Sequence, residues 1–491
     1  MLVTLLKHSR LAFWRSKTLT RSLATTILTW LMIGMMLMNA LILGVMLSKI
    51  VSEIDPDTDP VALVNGLLLF YWLFELLLRI FFQRNVTLNI QYYLVQRLSR
   101  QLLSHFMLIK SWVNLFLVLT FLLFAPFAYQ SVSVLYSPSI ALLWLGSLLS
   151  ISFFMHHIVI AIQQVAKDNI WLPLIVGLFL IALIYLSIAG ILDFSWLDQG
   201  FMQLIGQGPI LLIFILIPIT SLYFIDARLL RHNLYLDSIG SRRIHVVKGI
   251  GRWVSYLNSL GIPGQLIALE LRLIWRNKRS RYYLIMGAIM LLFFTFIFMR
   301  ADETATMQDL YMLMLSGVIM INYGQLLFSW ESHYFDFIMT SNFSVKTYLT
   351  SKFILLLCFN SLSTIIISII LTFVNYRLIP ELIIWYLLNS GFFIFIFIWA
   401  ATLGPKRMDA NASVLFNSEG ANVFRFLVII PYLLIPFGVV YLLELIMGKF
   451  WTYGSLACLG VLGIVLHKYV LNSIAECFNR RKYKILNGFR E

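Results

Sequence analysis

Long apolar runs separated by short polar, mostly basic stretches set the pattern of the chain. The runs are continuously apolar, without the period-two alternation over about ten residues that a barrel strand would show, and so they predict helices. Their lengths suit a bilayer, whose hydrocarbon core of about 30 Å takes roughly 20 helical residues. Twelve spans are predicted, at 23–48, 61–83, 107–130, 139–165, 170–191, 208–227, 282–300, 308–329, 353–374, 381–402, 423–446 and 452–471. The fold class expected is all-α: a polytopic membrane protein of about 12 transmembrane helices.

The polar stretches give the orientation. With the N-terminus in the cytoplasm, the inner loops and their flanks hold all of the 37 Lys and Arg except Lys49, Arg300, Arg377 and Lys449. Ten acids collect outside or at outer helix ends: Glu53, Asp55, Asp57, Asp59, Asp193, Asp198, Asp302, Glu303, Asp309 and Glu381. Positive-inside bias then puts both termini in the cytoplasm. Lys7, His8, Arg10, Arg15, Lys17 and Arg21 precede the first span, and no small-residue cleavage site follows a short hydrophobic core, so an uncleaved first helix is expected.

Composition narrows the class further. Of the 491 residues, 60% are hydrophobic and 12% charged, with a mean hydropathy of +0.87, whereas soluble domains carry about 25% charged residues. A string of soluble domains is excluded. The net charge of +15 is a topology signal, not a nucleic-acid footprint. Cys358, Cys458 and Cys477 show neither pairing nor CxxC spacing, so no disulfide framework and no metal site are expected.

The chain also repeats itself. Leu11-Ala12-Phe13-Trp14-Arg15-Ser16-Lys17 stands before the first span and Arg272-Leu273-Ile274-Trp275-Arg276-Asn277-Lys278 before the seventh. After the second span of each half comes an aromatic-rich loop: Tyr92-Tyr93-Leu94 leading to Leu98-Ser99-Arg100, and Phe335-Asp336-Phe337 leading to Phe343-Ser344-Val345-Lys346. Each half closes on a polar tail, Arg231-His232-Asn233-Leu234-Tyr235 and Asn479-Arg480-Arg481-Lys482-Tyr483. Two parallel six-helix repeats are read, related by an axis along the membrane normal because six is even. Residues 1–236 form the first, 237–262 a basic cytoplasmic linker and 263–491 the second. In the linker region Ile244, Val247, Val254 and Leu257 interleave with Arg242, Arg243, Lys248 and Arg252, as either an amphipathic headgroup-level helix or a solvated connection.

Three groups of residues are candidates for function. Trp14, Arg15 and Lys17, with Trp275, Arg276 and Lys278, mark elbow helices lying in the interface before they turn into the membrane. Loops 84–106 and 330–352 are too polar for the membrane and too aromatic for plain linkers. Tyr92, Tyr93, Leu98, Leu102 and Leu103 in one, and Phe335, Phe337, Ile338, Phe343 and Tyr348 in the other, are expected as apolar knobs on short helices, with Ser99 and Ser344 as helix caps. Ionisable groups within spans form the third group. Glu75 and Arg79, four apart, share a helix face and form an ion pair. His156 and His157 face different directions and cannot both line one pathway, which favours packing histidines. Glu444 lies near the outer end of span 11 and reads as a surface carboxylate.

An elbow with Trp and basic residues, two spans, a loop with a serine and a basic residue, and four more spans resemble the permease subunit of ABC transporters of the type-2 exporter class. The resemblance covers the whole chain as two fused permeases, similar to a poorly characterised bacterial membrane family. It implies an ATP-driven exporter of hydrophobic or amphiphilic substrates in the bacterial cytoplasmic membrane, with Leu98, Ser99, Arg100, Phe343, Ser344 and Lys346 as ATPase-coupling residues. Lys352 matches the lysine at the head of span three; its counterpart is Phe106, with Lys110 a turn later. The proline that often precedes the serine is absent from both copies.

The chain has no G-x-x-x-x-G-K-[ST] loop; its one Gly-Lys pair, Gly448-Lys449, precedes Phe450 in an outer loop. By the resemblance it is therefore no enzyme and binds no cofactor. ATP and Mg belong to two copies of a separate ABC ATPase subunit, one under each half. Lipid is the other expected partner, with no nucleic acid and no obligate self-dimer. The rival reading is a secondary, ion-coupled transporter, which shares the plan of two six-span halves but would carry a Gly and Asp/Arg-rich signature where this chain has Gln83-Arg84-Asn85-Val86-Thr87-Leu88.

Overall fold

Within hydrocarbon every backbone N–H and C=O must find its partner inside the segment, so long apolar runs fold as helices. The computed structural model describes residues 1–14, 23–54, 59–83, 86, 91–165, 171–188, 191, 195–206, 208–234, 251–298, 305–403, 407–408 and 423–490, among which there is no strand. The chain divides into two units, Met1–His245 and Val246–Glu491.

The first unit runs α1 (Leu2–Trp14), α2 (Leu23–Ile54), α3 (Pro60–Phe82), α4 (Gln91–Leu94), α5 (Arg100–Ser111) and α6 (Leu115–Phe127), then a π-turn at Ala128–Val132. It continues with α7 (Pro138–Val165), α8 (Trp171–Ile188), α9 (Ser195–Gly206) and α10 (Pro209–Asn233). Asp59 starts α3: its carboxylate accepts from Val61 N at 2.8 Å, and Pro60 occupies the first turn, where no amide is needed. The core forms where α3, α6 and α7 meet, with Val61, Val64 and Leu68 against Phe124, Phe127, Trp144 and Leu148. Gly44 lets α2 approach α6 closely, since a Cβ there would strike the Leu122 and Leu123 carbonyls.

The second unit runs α11 (Gly251–Ser259), α12 (Gly261–Arg276), α13 (Lys278–Phe298), α14 (Ala305–Gly324), α15 (Phe335–Thr340) and α16 (Val345–Val374). There follow α17 (Ile379–Leu388), extended by a π-turn at Asn389–Phe393 and by Ile394–Ala401, then α18 (Val423–Met447), α19 (Lys449–Val465) and α20 (His467–Arg490). Gly391 on that π-turn meets Gly460 and Gly463 of α19 so closely that a Cβ on any of the three would collide with facing backbone. This is the small-residue contact by which membrane helices bring their backbones together.

Among the described residues, seven helical stretches are long and apolar enough to cross a bilayer: Ile33–Glu53, Pro60–Phe82, Arg100–Leu135, Pro138–Val165, Gln308–Glu331, Val345–Val374 and Tyr376–Ala401. The pair α19 and α20 makes an eighth if taken as one bent span. Almost none of Ile33–Glu53 is buried within the chain; such an apolar surface needs lipid around it. The protein is membrane-integral.

The count of seven or eight is lower than the twelve spans expected. Four further expected runs contain the helices Trp171–Ile188, Pro209–Asn233, Lys278–Phe298 and Val423–Met447. The last run, expected to continue through residue 471, bends by 66° between Val465 and His467. Beyond the bend α20 is amphipathic, burying Leu471, Ile474, Phe478, Ile485 and Phe489. Phe478 packs on Phe328 and Tyr348, and Phe489 on Phe335, with centroids 5.5, 6.3 and 4.8 Å apart. A polar tail is thus a structural helix. Of the linker expected at 237–262, residues 237–250 lie outside the described residues, and its end forms α11 and the start of α12.

Candidate functional site

The loop and elbow of the first unit come together at the head of α5. Ser99 caps that helix, its hydroxyl accepting from Leu102 N at 3.3 Å and its carbonyl from Leu103 N at 3.1 Å. The capped turn directs Leu103, Phe106 and Met107 inward, where they bury with Leu5 of α1. Tyr93 on the single turn α4 packs on Phe106, with centroids 5.7 Å apart, and bonds His8 Nδ1 at 2.9 Å. Leu98 is half-buried against this cluster, whereas Ser99 and Arg100 are exposed. Residues 84–85 and 87–90 of the loop lie outside the described residues.

The second unit has the same order of parts. Ser344 caps α16, accepting from Thr347 N at 3.1 Å, with Tyr348 N donating to its carbonyl at 3.1 Å. The α15 helix before it buries Phe335 and Ile338 and leaves Phe337 68% exposed. Phe343 is half-buried; Ser344 and Lys346 are exposed. The apolar residues expected as outward knobs therefore divide. Leu103, Phe335, Ile338 and Tyr348 hold the loops to their own units, Phe337 faces outward, and the side chain of Tyr92 lies outside the described ones.

Lys352 departs from its expected coupling role. Two turns into α16 it is fully buried, its Nζ 2.8 Å from Glu270 Oε2 of α12 and 2.8 Å from Glu331 Oε1. A docking partner cannot reach it. A lysine so deep is tolerated because two carboxylates replace its lost hydration. Tyr323 donates to Glu270 at 2.8 Å and Tyr348 to Glu331 at 2.5 Å, completing the cluster.

Of the elbow residues, Trp14 ends α1, while Arg15 and Lys17 lie outside the described residues. Trp275 and Arg276 are exposed at the end of α12, and Lys278 opens α13. Ile267, Leu273 and Ile274 form the buried stripe of α12, consistent with an interfacial amphipathic helix.

Glu75 and Arg79 pair as expected, and the pair is buried. Arg79 Nη2 lies 2.6 Å from Glu75 Oε1, donates to Ser152 at 2.8 Å, and its guanidinium sits 4.8 Å above the Phe116 ring. His156 and His157 separate as helix geometry requires. Asn114 donates to His156 Nδ1 at 2.9 Å, which leaves the hydrogen on Nε2, 3.0 Å from Ser111 Oγ. His157 Nδ1 turns to Asp226 Oδ2 at 2.7 Å, and both side chains are fully buried. Glu444 is half-buried, with a buried Oε1 that has no hydrogen-bond partner among the described residues.

Compared with known families, residues 9–491 match the one described as Family of unknown function (DUF5687). The chain belongs to the DUF5687 family. No curated protein and no solved structure matches it.

Four buried acids of this DUF5687 protein lie outside the sequence-predicted sites: Asp226, Glu270, Asp309 and Glu331. Asp309 was expected at an outer helix end; it is 3% exposed and accepts from Trp385 Nε1 at 3.2 Å and Tyr453 OH at 2.7 Å. Glu270 carried one usable signal: it is an acid just ahead of Arg272, Arg276, Lys278, Arg279 and Arg281. Among the described residues no cluster of three His, Cys, Asp or Glu could hold a metal ion.

Proposed function

We propose that this DUF5687 protein is the permease of an ATP-driven exporter. Its twelve runs would act as two parallel six-helix repeats in the bacterial cytoplasmic membrane, with both termini cytoplasmic and two copies of a separate ATPase beneath. The supporting observation is the repetition of one construction: a serine-capped helix head packed on an amphipathic elbow, with exposed residues at the capped turn. Arg100 at one turn, and Phe337 and Lys346 near the other, offer the mixture of cation and aromatic that anchors protein interfaces. A push on that turn would pass directly into α5 or α16, because each turn caps its helix. Few charges line the spans, which suits hydrophobic or amphiphilic cargo.

The test is purification of the full chain from native membranes, followed by ATPase assay in reconstituted vesicles. A nucleotide-hydrolysing subunit is expected to co-purify with wild type and to be lost with R100E combined with F337D, while membrane insertion is unchanged. An ATPase that still binds and is still stimulated after both changes would remove these turns from the coupling role.

One observation favours a second reading, an ion-coupled secondary transporter. His157 and Asp226 form a buried imidazole–carboxylate pair whose remaining atoms, Nε2 and Oδ1, have no partner among the described residues; proton relays in transporters use such groups. Transport that collapses with a protonophore and proceeds without ATP would favour this reading.

A further inference from the structure

The second unit buries an unbalanced charge. Glu270 on α12, Glu331 in the turn after α14, and Lys352 on α16 meet away from solvent, each at most 2% exposed. Lys352 Nζ bridges Glu270 Oε2 and Glu331 Oε1, both at 2.8 Å. Tyr323 donates to Glu270 Oε1, and Tyr348 to Glu331 Oε2. All four carboxylate oxygens are therefore engaged, yet one ammonium cannot neutralise two carboxylates. A net negative charge held without water is expensive, and one proton removes it.

We infer that Glu270, Glu331 and Lys352 form a proton-binding site that latches α12 to the head of α16, and that the latch loosens when the proton leaves. The three groups come from separate elements, so the site exists only while α12 is seated. The ionisable groups acting on Glu270 are Lys352 from α16, Tyr323 from α14 and Glu331; Tyr348 faces Glu331 from α16. Arg279 and Arg281 follow in the first turn of α13, which succeeds α12 directly in the chain. Burial, reinforced by the charge of Glu331 and opposed by Lys352, pushes the Glu270 carboxyl up to about 7.

In the first unit the elbow residue Leu5 instead buries with the apolar Leu103, Phe106 and Met107.

The sign of the effect follows from linkage. A carboxyl whose value is raised in the seated state binds its proton more tightly there than when released. The contribution to seating is complete below about 4.5, the released value, and declines as pH climbs through about 7. With those two values, release of α12 grows about tenfold between pH 6 and pH 8.

Hydrogen–deuterium exchange of the full chain in lipid nanodiscs, corrected for intrinsic rate, tests this. Protection of residues 261–276 in the wild type is expected to fall about tenfold from pH 6 to pH 8. E270Q, a permanent stand-in for the protonated acid, is expected to hold the pH 6 level throughout. K352M, which leaves two carboxylates without a cation, is expected to raise exchange of this segment at both pH values. Protection that is independent of pH in the wild type, or an E270Q variant that keeps the wild-type slope, would overturn the latch. Should K352M not fold, those two measurements still decide it. No ATPase takes part, so the latch and the exporter reading can fail separately.

Discussion

Arg79 closes onto Glu75, one turn earlier on α3, through two hydrogen bonds to the same oxygen, from Nε at 2.8 Å and Nη2 at 2.6 Å. Ser152 of α7 binds both partners, donating to Glu75 Oε1 at 2.5 Å and accepting from Arg79 Nη2 at 2.8 Å. The pair thereby ties α3 to α7 deep in the first unit. R79M leaves a buried carboxylate without its cation and is expected to destabilise the unit by about 3–5 kcal/mol. The double change E75L with R79M, which removes both charges, is expected to recover most of that loss. Thermal unfolding in nanodiscs checks both; equal destabilisation by the single and double variants would deny the pair its role.

The serine caps make a smaller, local prediction. S99A and S344A each remove an oxygen that accepts an otherwise unpaired amide, from Leu102 and Thr347 respectively. Each is expected to cost about 1 kcal/mol and to raise amide exchange in the first turn of α5 or α16 only. Replacement by Asp, which also caps, is expected to restore protection.

Much of this architecture is legible because lipid simplifies the code. A continuous apolar run in a bilayer has few alternatives to a helix, so the runs at 61–83, 139–165 and 353–374 coincide with α3, α7 and the body of α16. The serine caps are equally local signals. What escaped was non-local. Nothing near Lys352 in sequence announces Glu270 or Glu331, because the three meet only after α12 folds back onto α16; the same holds for Asp226 and His157. The amphipathic α20 was readable in principle, since Leu471, Ile474, Phe478, Ile485 and Phe489 recur at near-helical spacing. Its dense basic residues made it resemble a solvated tail.

Glycine contacts predict where the second unit tolerates no added atom. At Gly391 a Cβ would strike the Gly460 backbone, and at Gly460 the Leu387 carbonyl. Both are helical residues of a close crossing, so neither neighbour can yield without moving a helix. G391A and G460A are expected to lower the yield of folded protein and its melting temperature. G454A, on the same α19 with open space around its Cα, is expected to leave both unchanged. The contrast within one helix separates steric collision from a general change in helix propensity.

The pairing of His157 with Asp226 gives a prediction that bears on the rival reading. Asp226 Oδ2 accepts from the Nδ1 hydrogen of His157 if the carboxylate is ionised, and the pair joins α7 to α10. D226A strips a fully buried imidazole of its partner and is expected to cost about 1–3 kcal/mol. D226N keeps an acceptor in the same place while losing the charge, and is expected to stay close to wild-type stability. A structural pair would therefore leave transport intact in D226N. A proton carrier would lose its coupling there despite normal folding, because an amide cannot titrate. Melting temperature and protonophore-sensitive transport, measured together on D226N, distinguish the two: preserved stability with abolished ion-driven uptake would favour the secondary transporter, and preserved stability with unchanged transport would leave His157 and Asp226 as a clamp between two helices.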